Sequence, residues 1–140
     1  MKRTDLLLKI IPAANGEPLT PAQLQKVAFL LGMEFADTLP ADYYSFQKYD
    51  YGPFCIDIYR DAEKLQRDGL VNISANERGG WKEYSAAYKA AFANLDAIPV
   101  RIARFIDDTV TWARNISFQE LVRTIYIRYP EFKENSVFQG

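Results

Sequence analysis

The sequence predicts a single domain that is mainly α-helical with a small β-hairpin: a winged helix-turn-helix-like core followed by C-terminal helices. We place the core at about residues 19–85 and the helical extension at about residues 86–140. Two observations predict this order. An aromatic turn, Tyr49–Phe54, runs into a helical pattern that a glycine ends, and a strand pattern begins directly afterwards. A second strand pattern then follows a polar, glycine-rich turn, as the hairpin behind the third helix of a winged helix requires.

The N-terminal part of the chain carries two helical patterns. Apolar residues at positions 6, 7, 10 and 11 predict a short amphipathic helix that ends near Asn15-Gly16. Thr20-Pro21-Ala22-Gln23 is a capping box, with threonine at the cap, proline at the first helical position and glutamine three residues after the cap. This box predicts the start of a second helix. Its apolar face repeats at helical spacing through Leu24, Val27, Ala28, Leu31 and Phe35.

Aromatic residues crowd the segment that leads to the third helix. Residues 43–54 hold six tyrosines and phenylalanines, which is too aromatic for a solvated loop, and we expect a short extended piece at Tyr44-Ser45-Phe46. Gly52-Pro53 is predicted to start the third helix, and Gly69 to end it in a left-handed conformation. The inner face of this helix is predicted to consist of Cys55, Ile58, Ala62 and Leu65.

The remaining elements are a hairpin and the C-terminal helices. Residues 71–74 and 81–85 have strand patterns, and Asn76–Gly80 between them has the composition of a hairpin turn. This hairpin is the predicted wing. Residues 86–95 favour a helix, Pro99 opens a long one, and a second capping box at Ser117–Glu120 opens the last, which ends before Pro130. The inward residues of the long helix are predicted to be Ile102, Phe105, Ile106 and Ala113.

Composition limits the chemistry that the chain can perform. The 140 residues contain no histidine and one cysteine. This excludes a Ser-His-Asp or Cys-His catalytic constellation and the usual cysteine and histidine zinc sites. We therefore expect no catalytic residues, no cofactor and no metal site, and we predict that the chain is not an enzyme. A single cysteine cannot form an internal disulfide, which is typical of the cytoplasm. The segment Met1–Pro12 is too short to span a membrane and lacks a signal-peptide cleavage pattern, so we predict a cytoplasmic protein without a membrane partner.

Four tyrosines are candidates for binding a partner protein. Tyrosine is enriched in protein interfaces because it buries a large area at a small cost in conformational entropy. Exposed rings in the aromatic segment would anchor a partner or a second copy of the chain. The alternative is that the rings form a satellite core in which each hydroxyl finds one backbone partner. The candidates are Tyr43, Tyr44, Tyr49 and Tyr51.

The charges give a weaker prediction of nucleic-acid binding. Seventeen basic and eighteen acidic residues give a net charge of −1, whereas most DNA-binding domains are clearly basic. Arg60, Lys64 and Arg67 form a narrow basic strip on the third helix, and Arg78 lies at the wing turn. The outward face of that helix also carries four acids, which repel phosphates. Those acids are Asp57, Asp61, Glu63 and Asp68.

Several separate stretches together resemble a known family. They are Leu24-Gln25-Lys26 with Phe29-Leu30, Tyr51-Gly52-Pro53-Phe54, Leu65 with Asp68-Gly69-Leu70-Val71, and the tail Tyr129-Pro130-Glu131 with Asn135-Ser136. This combination resembles the SocA-like or Panacea domain family and the related YwgA-like proteins of bacteria and phages. The likeness is stronger over residues 19–74 than over the C-terminal helices.

The resemblance implies a winged-helix-like fold that is used mainly for protein contact. Members of the family act as antitoxins that neutralise varied toxins, and one is an adaptor that delivers its toxin to a protease. No catalytic residues belong to the family, so none are carried over. The predicted function is a non-catalytic, antitoxin-like or adaptor-like protein-binding module, whose partner would be a protein such as a toxin encoded nearby. The alternative is a DNA-binding transcriptional regulator that forms a homodimer through the long helix after Pro99.

Overall fold

A computed structural model describes residues 1–139, and over this range five α-helices combine with two antiparallel two-stranded sheets. This confirms the prediction of a mainly α-helical chain with a small hairpin. The helices are α1 (Arg3–Ile10), α2 (Pro21–Glu34), α3 (Ile56–Arg67), α4 (Val100–Arg114) and α5 (Phe118–Arg128). The strands are β1 (Gln47–Tyr49), β2 (Gly52–Phe54), β3 (Val71–Ala75) and β4 (Lys82–Ala86). Short 3₁₀ turns cover Ile11–Ala14, Tyr88–Phe92 and Pro130–Lys133.

Helix α2 is the central element of the fold. The predicted capping box is confirmed: the Gln23 backbone N–H donates to the Thr20 hydroxyl at 3.1 Å, and the Thr20 N–H donates to the Gln23 side-chain oxygen at 3.0 Å. Every residue from Leu24 to Leu31 is buried, because α1, α4, α5 and strands of both sheets contact this helix. The buried run includes two polar residues, Gln25 and Lys26, where a core helix normally has apolar ones.

The start of the third helix differs from the prediction. Gly52-Pro53 does not begin α3; it belongs to β2, which pairs with β1 so that Tyr49 faces Gly52 and Gln47 faces Phe54. Helix α3 begins at Ile56, and Cys55 is its buried N-cap residue. The extended piece expected at residues 44–46 is likewise displaced to Gln47–Tyr49. The tertiary reason is that the aromatic segment folds back on itself as a hairpin, which delays the helix.

The predicted end of α3 and the predicted hairpin after it are both confirmed. Gly69 has a φ of 78°, and the Leu70 N–H donates to the Leu65 carbonyl at 2.9 Å, which is a Schellman-type helix end. Strands β3 and β4 pair in antiparallel register from Val71 with Ala86 to Ala75 with Lys82. Leu19 adds an isolated bridge to Tyr84, with reciprocal backbone hydrogen bonds of 2.8 and 2.9 Å.

The C-terminal part follows the prediction except at residues 86–95. That stretch forms only the 3₁₀ turn Tyr88–Phe92, and both of these rings are exposed, so no buried face supports a longer helix. Helix α4 starts after Pro99, and the capping box at Ser117 starts α5, both as predicted. The inward residues of α4 are also confirmed, with Ile102, Ile106 and Ala113 buried and Phe105 half-buried. Within the described range, every helix is too short or too polar to cross a bilayer.

Candidate partner-binding site

Of the four candidate tyrosines, Tyr44 lies in the core and Tyr43 is half-buried against it. Tyr43 donates its hydroxyl to the Ala28 carbonyl at 2.7 Å, and Tyr44 is only 5% exposed and donates to the Asp61 carboxylate at 2.7 Å. Burial raises the pKa of both phenols. The Tyr44 ring follows the satellite-core alternative, so the expectation that it is an exposed anchor is corrected. Partner binding stays a prediction for Tyr43, Tyr49 and Tyr51.

Asp61 was predicted to face solvent but is buried. Its carboxylate pairs with the Arg3 guanidinium at 2.9 Å and accepts the hydrogen bond from Tyr44. The Arg3 guanidinium also lies over the Tyr44 ring, 4.8 Å from its centroid. The outward face of α3 therefore loses one of its four acids, which leaves three acids against three bases. The face is neutral in charge, and it is less repulsive to phosphate than the sequence suggested.

The candidate DNA-contacting residues are exposed. Arg60, Lys64 and Arg67 lie on the solvent side of α3, and Arg60 forms a pair with Asp57 at 3.4 Å. Arg78 lies in the turn of the β3–β4 hairpin, where the Asn76 side chain accepts its backbone N–H at 2.9 Å. A role in DNA binding stays a prediction for these four residues.

Tyr49 and Tyr51 are exposed on the β1–β2 hairpin, with 51% and 45% of their surfaces accessible. Tyr49 stacks on Phe54 with centroids 5.0 Å apart, and Tyr51 meets Phe118 edge to face at 5.4 Å. Together with Tyr59 these rings enclose a cavity of about 190 Å³, which we call the small cavity. An exposed aromatic pocket of this kind is typical of a recognition site.

Lys26 lies at the base of the small cavity. Its side chain extends from the central helix α2, is 6% exposed, and has no hydrogen bond or ion pair to any residue in 1–139. Burial lowers the pKa of its ammonium to about 8. In the same range, no fully enclosed side-chain nitrogen or oxygen lacks a hydrogen-bond partner. The Lys26 nitrogen is therefore not fully enclosed, and the side chain lines the small cavity.

Gln25 fixes the hairpin above Lys26. Its side-chain amide donates to the Cys55 carbonyl and accepts from the Cys55 N–H, both at 2.9 Å. This pair of bonds joins α2 to the residue that links β2 with α3. Gly52 then passes close to Lys26, since a Cβ atom at position 52 would lie 3.7 Å from the Lys26 Cε. The chain thus brings Leu24-Gln25-Lys26 and Tyr51-Gly52-Pro53-Phe54 into direct contact.

The C-terminal tail holds the hairpin from its outer side. The Val137 N–H and the Ser136 hydroxyl both donate to the Asp50 carbonyl, at 2.9 and 3.1 Å. Asn135 donates to the Lys48 carbonyl at 3.3 Å, and Lys48 pairs with Glu134 at 2.7 Å. The hairpin is therefore held in place from both sides, which favours a preformed site.

A larger cavity of about 400 Å³ adjoins the small one, because Ala22 and Phe118 line both. It lies between the first turns of α2 and α5 and is closed on one side by the half-exposed Trp81 of the β3–β4 hairpin. We call the two cavities together the aromatic groove. Its exposed rings are Tyr49, Tyr51, Trp81 and Phe118.

Two of the four exposed rings of the aromatic groove were predicted from the sequence as partner-binding candidates. Sequence reasoning selected Tyr49 and Tyr51, but it treated Trp81 as a hairpin residue and assigned no role to Lys26. The available signal was a lysine inside the buried run Leu24–Leu31, where an apolar residue is the norm. Over residues 1–139, no group of three or more histidine, cysteine, aspartate or glutamate side chains is arranged to hold a metal ion.

Comparison with protein-family models, with curated proteins and with solved structures found no match for this chain.

Proposed function

We propose that the chain is a non-catalytic protein-binding module that holds a segment of a partner protein in the aromatic groove. The observation that carries this proposal is the set of four exposed rings around two adjoining cavities on a preformed frame. Aromatic side chains that line a concave surface provide most of the binding energy in many interfaces. Such a groove suits apolar side chains of a polypeptide that passes across α2 and α5.

The arrangement around the groove supports a winged helix-turn-helix-like core. Helices α1, α2 and α3 precede the β3–β4 hairpin, and Leu19 between α1 and α2 bridges to that hairpin at Tyr84. This is the order of three helices, a short first strand and a wing. In this proposal α4, α5 and the tail extend the core and complete the groove, since α5 contributes Phe118.

The resemblance to the SocA-like or Panacea family supports an antitoxin-like or adaptor-like role. Three of the stretches that carry it lie around the β1–β2 hairpin, where Gln25 bonds to Cys55 and Ser136 bonds to Asp50. A cytoplasmic partner, such as a toxin encoded nearby, would be neutralised or delivered through this surface.

The test is affinity purification from native cells, with and without nuclease, using three matched variants. Tyr51→Ser and Trp81→Ser each remove one ring of the groove, and Tyr88→Ser removes an exposed ring outside it. We expect a stoichiometric, nuclease-resistant partner protein whose binding falls about tenfold or more with each groove variant and is unchanged with Tyr88→Ser. Circular dichroism of all three variants checks that each is folded. Equal capture by the groove variants would refute the site.

The second candidate function is a dimeric winged-helix regulator that binds DNA. The burial of Asp61 favours it, because α3 then presents Arg60, Lys64 and Arg67 on a face with no acidic excess. A dimer through α4 would need the exposed, charged side of that helix, since its apolar side is buried in the core. This function predicts salt-dependent binding to duplex DNA that Arg60→Ala or Arg67→Ala weakens.

A further inference from the structure

We propose that Lys26 recognises a carboxylate, and that the segment held in the aromatic groove carries an acidic side chain next to an apolar one. The inference rests on the proposed function and names the chemistry of the partner. The carboxylate would accept a hydrogen bond from the Lys26 ammonium in the small cavity. The neighbouring apolar side chain would lie against the rings of the groove.

The Lys26 ammonium forms no ion pair with any residue in 1–139. The small cavity is lined by aromatic, small and amide side chains, and no acidic residue lines it. Glu134 pairs with Lys48 and Asp61 with Arg3, and Asp50 in the hairpin turn is exposed and is not part of the cavity lining. A largely buried cation is stabilised by a compensating charge, and a bound carboxylate would supply one here.

In the absence of a partner, the charge of Lys26 lowers the stability of the folded chain. A methionine has nearly the same length and would fill the same space between Gly52 and the rings without placing a charge there. Residues that oppose stability in this way are characteristic of functional sites. The lysine stem already packs against Gly52, so the charge alone needs a functional explanation.

The small number of cations around the groove favours a polypeptide carboxylate over a nucleic-acid phosphate. Lys26 is the one cation that lines either cavity of the aromatic groove among the described residues. Nucleic-acid binding depends on several phosphate contacts along a basic track, and a single lysine does not provide one. The larger cavity of about 400 Å³ continues from the small one, which gives room for side chains on either side of the acid.

The experiment uses a displayed library of random peptides selected against the folded chain. We expect the selected peptides to share an aspartate or glutamate beside an aromatic or aliphatic residue. The tightest peptide is then made with its acid and with the matching amide, and both are titrated against the wild-type chain and Lys26→Met.

We expect the amide to bind the wild type roughly tenfold to a hundredfold more weakly, as for a hydrogen bond to a charged group. Lys26→Met should bind the acid and amide peptides equally, so that the two changes are not additive. Addition of the acidic peptide should also raise the pKa of the Lys26 ammonium, read by NMR of ¹⁵N-labelled lysine, because a bound anion favours the charged form. Additive effects of the two changes would overturn the proposal.

Two further arms separate this inference from the proposed function. If Tyr51→Ser and Trp81→Ser abolish peptide binding while the acid and amide bind alike, the groove stands and the role of Lys26 fails. If the groove variants change nothing, the proposed site itself fails. Phenylacetate and phenylacetamide serve as small probes: phenylacetate binding as tight as that of the best peptide would overturn the polypeptide part of the proposal.

Discussion

At the scale of single residues, Lys26 is the most unusual feature of the chain. It extends from the most buried helix into an aromatic cavity and has no partner among the residues that the structure describes. Burial lowers the pKa of its ammonium from 10.5 to about 8. A charged group that is held in this way reduces the free energy of unfolding.

The first prediction is that Lys26→Met stabilises the chain at pH 7 by up to about 3 kcal/mol, since each pKa unit corresponds to about 1.4 kcal/mol. Between pH 8 and 10.5 the unfolded wild type binds more protons than the folded one, so wild-type stability rises with pH in that window. The gain in free energy of unfolding of Lys26→Met over the wild type is therefore largest below about pH 8 and is lost by about pH 10.5. Urea unfolding at several pH values measures it.

The control for this prediction is Lys64→Met, on the exposed face of α3. This substitution removes the same charge from a solvated position and should change stability by less than about 0.5 kcal/mol. If Lys26→Met destabilises the chain as a cavity mutant would, the ammonium is well solvated in the native state and our account of its burial is wrong.

At the scale of elements, the β1–β2 hairpin positions the site. It is short, and its own two strands could not hold it in place. Gln25 holds its inner end through Cys55, and the tail holds its turn through Asp50. Gly52 has a φ of 106°, which side-chain-bearing residues rarely adopt, so this position is specified by backbone geometry.

The second prediction concerns this glycine. Gly52→Ala should lower the free energy of unfolding by roughly 1–3 kcal/mol, because alanine is strained at this φ. The new Cβ would lie 3.5 Å from Tyr126 and 3.7 Å from Lys26, which are ordinary contacts, so backbone strain is the cause. We expect weaker peptide binding, since relief of the strain moves Tyr51. Thermal unfolding and peptide titration measure the two effects.

Gly80→Ala is the matched control, because Gly80 also has a positive φ of 74° but lies in the open turn of the β3–β4 hairpin. It should cost stability while leaving peptide affinity intact. Equal loss of affinity in both variants would mean that the hairpin geometry is not what positions the groove.

At the scale of the whole molecule, a buried polar cluster joins distant parts of the chain. Arg3 comes from α1, Tyr44 from the loop before β1, and Asp61 from α3, and their charged and hydroxyl groups meet at 2.7 to 2.9 Å. A second, aromatic cluster joins α2 to the C-terminal segment, where Phe29 meets Phe46, Tyr129 and Phe132 edge to face. These two clusters hold the frame behind the groove.

The third prediction is that Asp61→Asn lowers the free energy of unfolding by roughly 2–4 kcal/mol, since it leaves the partly buried Arg3 guanidinium with only the more distant Asp57 carboxylate at 3.8 Å. Glu63→Gln removes a carboxylate from the same helix at an exposed position and should cost less than about 1 kcal/mol. Urea unfolding compares the two variants. Similar costs would mean that the Asp61 cluster does not join the molecule as we describe.

Elements whose signals are local could be predicted from the order of the residues alone. Both capping boxes, the glycine end of α3 and the Asn76–Gly80 turn were predictable, because each depends on backbone geometry within a few residues. The β1–β2 hairpin, the burial of Asp61 and the position of Lys26 were decided only by the tertiary structure. Each depends on contacts with residues distant in the chain. Helical spacing cannot distinguish a charged residue that faces solvent from one that faces a buried ion-pair partner or an open cavity.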